Sequence, residues 1–219
     1  VGINICEDIW IDEGPAEEQV KRGASIIINI NASPFDIDKT KLRKEKVINK
    51  AKKLNVPIIY LNMVGGQDEL VFDGGSFVVT SNGEILHQAA QFVEEVFRFD
   101  IDLEIKSNNS DNVLTINQKD SEIPSLSSSE PLEELESMYE ALKLGLSDYV
   151  KKNNFKKVLV GLSGGIDSAL TATIAVDSLT SDNVVGVAMP SKFNHESSLK
   201  DAQDLAKSLV QYKNVVLLY

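Results

Sequence analysis

The 219-residue chain sets 22 Lys and Arg against 33 Asp and Glu, a formal net charge of -11 with a pI near 4.7. That balance repels a phosphate backbone or an anionic lipid face, so neither nucleic acid nor a membrane is an expected partner, and no apolar run reaches the roughly 18 residues needed to cross a bilayer. A single cysteine, Cys6, permits no internal disulfide, which fits a reducing, cytoplasmic setting and leaves its value in packing or reactivity. Val1 stands at the start of one apolar run and Tyr219 closes another, so the chain is expected to be an internal stretch of a longer polypeptide.

Residues 1–5 read as a buried-type strand that ends at Cys6. Gly14-Pro15 opens a short helix through Arg22, with Pro in the first turn and Gly23 placed to end it. A strand at 25–30 follows, then a charged helix over 38–54 with Leu42, Val47, Ile48, Ala51 and Leu54 as its apolar face, then a strand at 58–61. From Gly74 the texture changes to short strands at 76–80 and 84–87, joined by Ser81-Asn82-Gly83, where Asn-Gly supplies the positive φ of a hairpin turn. A longer β stretch is expected over 91–101. Residues 104–130 are rich in Ser, Asn and Asp without a sustained apolar period, and they read as a linker. Pro131 then opens a helix whose stripe is Leu132, Leu135, Tyr139, Leu142, Leu146 and Tyr149. Beyond it come a strand at 156–161, a Gly-rich turn, a helix at 168–179, a strand at 183–189, a helix at 195–210 and a strand at 214–218. Such alternation predicts a parallel, doubly wound sheet. His87 and His195 show no metal-ligand spacing and read as exposed strand-end and helix-start residues.

The turn Gly161-Leu162-Ser163-Gly164-Gly165-Ile166-Asp167-Ser168 lies directly between a strand and a helix. Its glycines allow successive N–H groups to converge on an anion at the positive helix end. Hydroxyls of Ser163 and Ser168 add donors, and Asp167 is placed to hold a Mg2+ that bridges phosphate oxygens. The Gly-Lys-Ser/Thr ending of a Walker A loop is absent. The octet resembles the pyrophosphate-binding loop of ATP pyrophosphatases, which implies ATP as co-substrate and adenylation of a substrate oxygen. The segment from Ala188 to Ser198 also resembles the NAD synthetase branch of that family, though a strand end and helix cap explain it equally well.

Cys6 sits where a strand ends, before Glu7-Asp8-Ile9-Trp10. Taken alone, a lone cysteine is a small buried hydrophobe more often than a nucleophile. The run from Gly2 to Trp10 resembles the nucleophile segment of the nitrilase superfamily, and Asn31-Ala32-Ser33-Pro34 and Gly74-Gly75-Ser76-Phe77 resemble later signatures of the same fold. The resemblance implies a thiolate attacking the glutamine amide through a thioester, with Ser33 and Lys39 matching positions that hold the α-amino and α-carboxylate ends of glutamine. The general-base glutamate and oxyanion lysine of that family precede the cysteine and have no counterpart in these residues.

A nitrilase-type glutaminase followed across a linker by such a loop resembles glutamine-dependent NAD synthetase. The resemblance implies an α/β architecture: the C-terminal part of a nitrilase-like α-β-β-α sandwich over 1–103, a linker over 104–130, and over 131–219 the start of a doubly wound, adenine nucleotide α hydrolase-like domain. Its implied reactants are glutamine, ATP with Mg2+, and deamido-NAD, and its implied assembly is a homo-oligomer. Two alternatives stay open: an ammonia-dependent ligase with an inactive nitrilase domain, and a non-catalytic nucleotide-binding module.

Overall fold

The computed structural model describes residues 1–101, 103, 128–189, 196–209 and 215–217. Most of the expected linker, and His195, lie outside the described residues. The chain forms two compact units, Val1–Gly65 with Phe72–Ser137, and Gly66–Val71 with Met138–Tyr219.

In the first unit, β1 (Gly2–Ile5), β2 (Ile27–Asn31) and β3 (Ile58–Asn62) run parallel, and β6 (Phe77–Val79) and β7 (Ile85–Gln88) extend the sheet antiparallel in the order β1-β2-β3-β6-β7. Between β3 and β6 the chain makes a hairpin, β4 (Val64–Gln67) and β5 (Leu70–Asp73), which the periodicity did not predict. Helices α1 (Pro15–Lys21) and α2 (Lys39–Leu54) cover one face, where Ala16, Val47 and Ala51 pack on Ile27, Ile58, Tyr60 and Phe77. Pro at the first helical position and Gly23 at φ 96 bound α1 as expected.

Four expectations need correction here. β1 is an edge strand whose Ile3 and Ile5 are 59% and 66% exposed; alternation sends them to the face that the helices do not cover, and only Gly2 and Asn4 turn inward. The inward face of α2 is Arg43, Val47, Lys50 and Ala51, while Leu42 is exposed. Each inward cation has a buried acid: Lys50 meets Glu17 at 2.7 Å, and Arg43 meets Asp73 at 2.7 Å. His87 is buried, because its pairing with Val78 turns it onto a covered face, and its ring lies 4.1 Å from that of Phe97. Residues 91–101 form no strand beyond a single bridge from Gln91 to Gly74, since Phe92 at φ 60 turns the chain out of the ladder. In the β6–β7 turn, Gly83 alone takes the positive φ, at 88, with its N–H on the Thr80 carbonyl, so this is a three-residue loop closed by glycine.

In the second unit, β8 (Val158–Gly161), α4 (Ile166–Leu179), β9 (Val184–Ala188), α5 (Glu196–Leu209) and β10 (Val215–Leu217) alternate as predicted, and the strands are parallel in the order β10-β9-β8. Val160, Leu162, Ala172, Ala175, Val184, Ala202 and Ala206 form its core. The preceding helix α3 (Glu134–Lys152) starts three residues after Pro131, and its Leu135, Leu142 and Tyr149 are exposed rather than buried. Ala141 and Val150 turn inward instead. Gly66 carries no Cβ, which would stand 3.1 Å from the Gly145 Cα, and Asp148 accepts the Gly66 N–H at 2.8 Å.

Candidate active sites

The register of the first sheet aligns three carboxyl ends. Ile5 pairs with Ile30, and Asn31 with Asn62, so Cys6 follows β1 level with the last residues of β2 and β3. Ligand sites of parallel sheets lie at this edge. Cys6 is half-buried and takes φ 49, a left-handed angle that costs a non-glycine residue roughly 1–2 kcal/mol. A short 3-10 turn, Cys6–Ile9, follows at once, tied by the Ile5 N–H to Asp8 Oδ2 at 2.9 Å and by Trp10 N–H to the Glu7 carbonyl. The strand thus ends in a sharp bend at the thiol-bearing residue. Such an outlier directs attention to function.

Ser33 lies two residues beyond β2 and is buried. Its Oγ accepts from Arg43 Nε at 3.1 Å, and its N–H donates to Asn62 Oδ1 at 2.9 Å. Arg43 also donates to the Ser33 and Pro34 carbonyls at 2.8 and 2.7 Å and to both Asp73 oxygens at 2.7 and 2.9 Å. Asn62 Nδ2 continues the network to the Gly74 carbonyl at 3.1 Å. The two segments picked out in sequence, 31–34 and 74–77, are therefore clamped to each other by Arg43, Asp73 and Asn62, none of which the sequence reading named. Lys39, half-buried, opens α2 just beyond that clamp. In β3, burial raises the pKa of the Tyr60 phenol above its ordinary value.

In the second unit the loop after β8 is shaped from within. Gly164 takes φ 83, and a Cβ there would overlap the backbone of Ser198 at the start of α5. Gly165 has an ordinary φ of -92; a Cβ there would meet only Ser163 Oγ at 3.4 Å, so the protein's own packing leaves that approach open. The Ser163 and Ser168 hydroxyls, expected as free donors, hold the loop instead: Ser168 Oγ accepts from the Ser163 N–H at 3.3 Å and donates to the Gly165 carbonyl at 2.9 Å, while Ser163 Oγ accepts from the Gly165 N–H at 3.2 Å. The first helical bond runs from Ala169 N–H to the Gly165 carbonyl, which leaves the amides of Ile166, Asp167 and Ser168 ahead of it at the positive end of α4. Asp167 is exposed in the first turn. Gly161, Leu162, Ser163, Ala188, Met189, Ser198 and Leu199 line a cleft of about 240 Å³ alongside. Among the described residues no cluster of three or more His, Cys, Asp or Glu is arranged for a metal ion, and none of their helices is long and apolar enough to cross a membrane.

Each site falls in a region with a defined family. Residues 1–105 match the carbon-nitrogen hydrolase family and residues 138–217 the NAD synthase family. The chain therefore joins a carbon-nitrogen hydrolase region to an NAD synthase region. Over 95% of its length it is 41% identical to a glutamine-dependent NAD(+) synthetase of Synechocystis and 42% identical to one of Thermotoga maritima, spanning 37% and 39% of those proteins. The structure of the glutamine-dependent NAD+ synthetase of Acinetobacter baumannii in complex with ADP superposes with a TM-score of 0.81 at 34% identity, covering all of this chain and 38% of that one. The chain is thus similar to part of a glutamine-dependent NAD synthetase.

Proposed function

We propose that the chain carries parts of the two coupled sites of a glutamine-hydrolysing NAD synthetase. The observation that supports this most is the presence in one chain of a thiol on a left-handed bend at one sheet edge and a Gly-rich turn with three open helix amides at another.

In the first site the Cys6 thiolate attacks the side-chain amide carbon of glutamine. The tetrahedral intermediate collapses to a thioester and expels ammonia, and water then cleaves the thioester to glutamate and free thiol. Ser33 and Lys39 hold the amino and carboxylate ends of the substrate, with Ser33 kept in place by Arg43 and Asn62. In the second site residues 161–168 bind ATP. The nicotinate carboxylate of deamido-NAD displaces pyrophosphate from the α-phosphorus, and ammonia then attacks the adenylated carbonyl and releases AMP, giving NAD. The amides of residues 166–168 receive the charge of the departing pyrophosphate. Asp167 would hold a Mg2+ carried in on the nucleotide, since that ion keeps most of its waters and needs only one or two protein carboxylates; there it would supply neutralisation of phosphate charge. Assembly as a homo-oligomer in the cytoplasm belongs to the same reading.

Gly164→Ala tests the second site in the complete polypeptide as encoded. A Cβ at φ 83 against the Ser198 backbone distorts the loop, with strain of roughly 1–2 kcal/mol, so the KM for ATP is expected to rise about tenfold. Glutamine-supported and ammonia-supported NAD formation should fall together. An unchanged ATP dependence would contradict the assignment.

A further inference from the structure

The left-handed bend at Cys6 rests on a buried amide that touches no reacting atom. Asn29, fully enclosed within β2, donates from Nδ2 to the Cys6 carbonyl at 3.3 Å and to Asn4 Oδ1 at 2.8 Å. Its Oδ1 accepts from Asn31 Nδ2 at 2.7 Å, and Asn31 Nδ2 also meets the Leu61 carbonyl at 3.1 Å. A backbone carbonyl only accepts, so the Asn29 amide has one workable orientation; flipped, it would set oxygen against the Cys6 oxygen. A single bonded line thus runs from β3 through β2 to the residue after β1.

As packing, this arrangement is unfavourable. The row of the sheet before it holds Gly2, Ile27 and Ile58 on the same face, whereas here Asn4 Nδ2 and Asn31 Oδ1 are buried without a hydrogen-bond partner among the described residues. A buried polar group left without a partner destabilises the fold. Stability alone favours aliphatic side chains at these positions, so the amides point to a role outside packing.

We infer that Asn29 is a positioning residue for the glutaminase half-reaction: by holding the Cys6 carbonyl it fixes the rotation of that peptide and aims Sγ at the glutamine amide. This rests on the reading of Cys6 as nucleophile. The test compares Asn29→Leu with Asn4→Leu in the complete polypeptide. The second change removes the other bond from Asn29 Nδ2 while leaving the donor on Cys6 in place. Glutamine hydrolysis, alkylation of Cys6 by iodoacetamide and the thermal midpoint are measured for both.

Asn29→Leu is expected to lower kcat for glutamine about 10- to 100-fold with KM near that of the parent, because a misaimed nucleophile loses rate rather than binding. Alkylation of Cys6 should slow in parallel. Asn4→Leu should keep kcat and alkylation close to the parent values. If Asn29→Leu does not fold, Asn29→Ser, whose hydroxyl falls short of the carbonyl, is expected to give the same split. Equal losses in the Asn29 and Asn4 variants, or a rise in KM without a fall in kcat, would overturn the inference. Retention of glutamine hydrolysis by Cys6→Ala would instead remove the underlying reading.

Discussion

Cys6→Ala is expected to lower glutamine-supported NAD formation by on the order of a thousandfold or more, while NAD formation from added ammonium continues near the parent rate. The asymmetry follows from the chemistry of the two sites. Without sulfur no thioester forms, and ammonia cannot be released from glutamine by the covalent route. On the proposed reading the second site of the complete polypeptide needs only ammonia, ATP and its nucleotide substrate, and its loop is built from the other unit of the chain. Parallel assays with glutamine and with ammonium salts check this. Equal loss in both assays would point to a folding defect, and loss in neither would remove Cys6 from the reaction.

Arg43→Met should destabilise the first unit by about 3–5 kcal/mol, the range for removing one partner of a buried ion pair. Asp73 has no solvent exposure, and after the change its carboxylate keeps, among the described residues, only contacts of 3.4 Å with Thr40 and with Asn62. Against a typical total of roughly 5–15 kcal/mol, this is a large share. The loss is visible as a lowered urea midpoint. Replacing both partners, Arg43→Met with Asp73→Leu, should recover part of it, since the uncompensated charge is then gone. The double variant should still hydrolyse glutamine poorly, because the Ser33 and Pro34 carbonyls lose their donors.

The strand-helix alternation, the hairpin at 80–84 and the loop at 161–168 were legible because each depends on local chemistry: β-branched runs, glycine at positive φ, and a glycine-rich turn between strand and helix. Two features escaped for a common reason. Periodicity in α2 was read from its apolar residues, yet two of its inward positions hold Arg43 and Lys50, whose buried acids lie 30 and 33 residues away along the chain. Likewise Asn29, Asn31 and Asn62 lie in strands that look simply aliphatic, and their meaning appears only when the register sets them beside Cys6. The signal was present as amides at alternate positions of a buried strand, where an apolar residue is the default. The exposure of Ile3 and Ile5 was hidden in another way, since an apolar strand reads the same whether one face or both are covered.

The most direct measurement is acid-quenched turnover of the complete polypeptide with glutamine, followed by mass analysis of the peptide that contains Cys6. A glutamyl adduct on that peptide, absent from Cys6→Ala, is the predicted result. Steady glutamine hydrolysis with the peptide unmodified at every quench time, or with the adduct on another residue, would contradict the account.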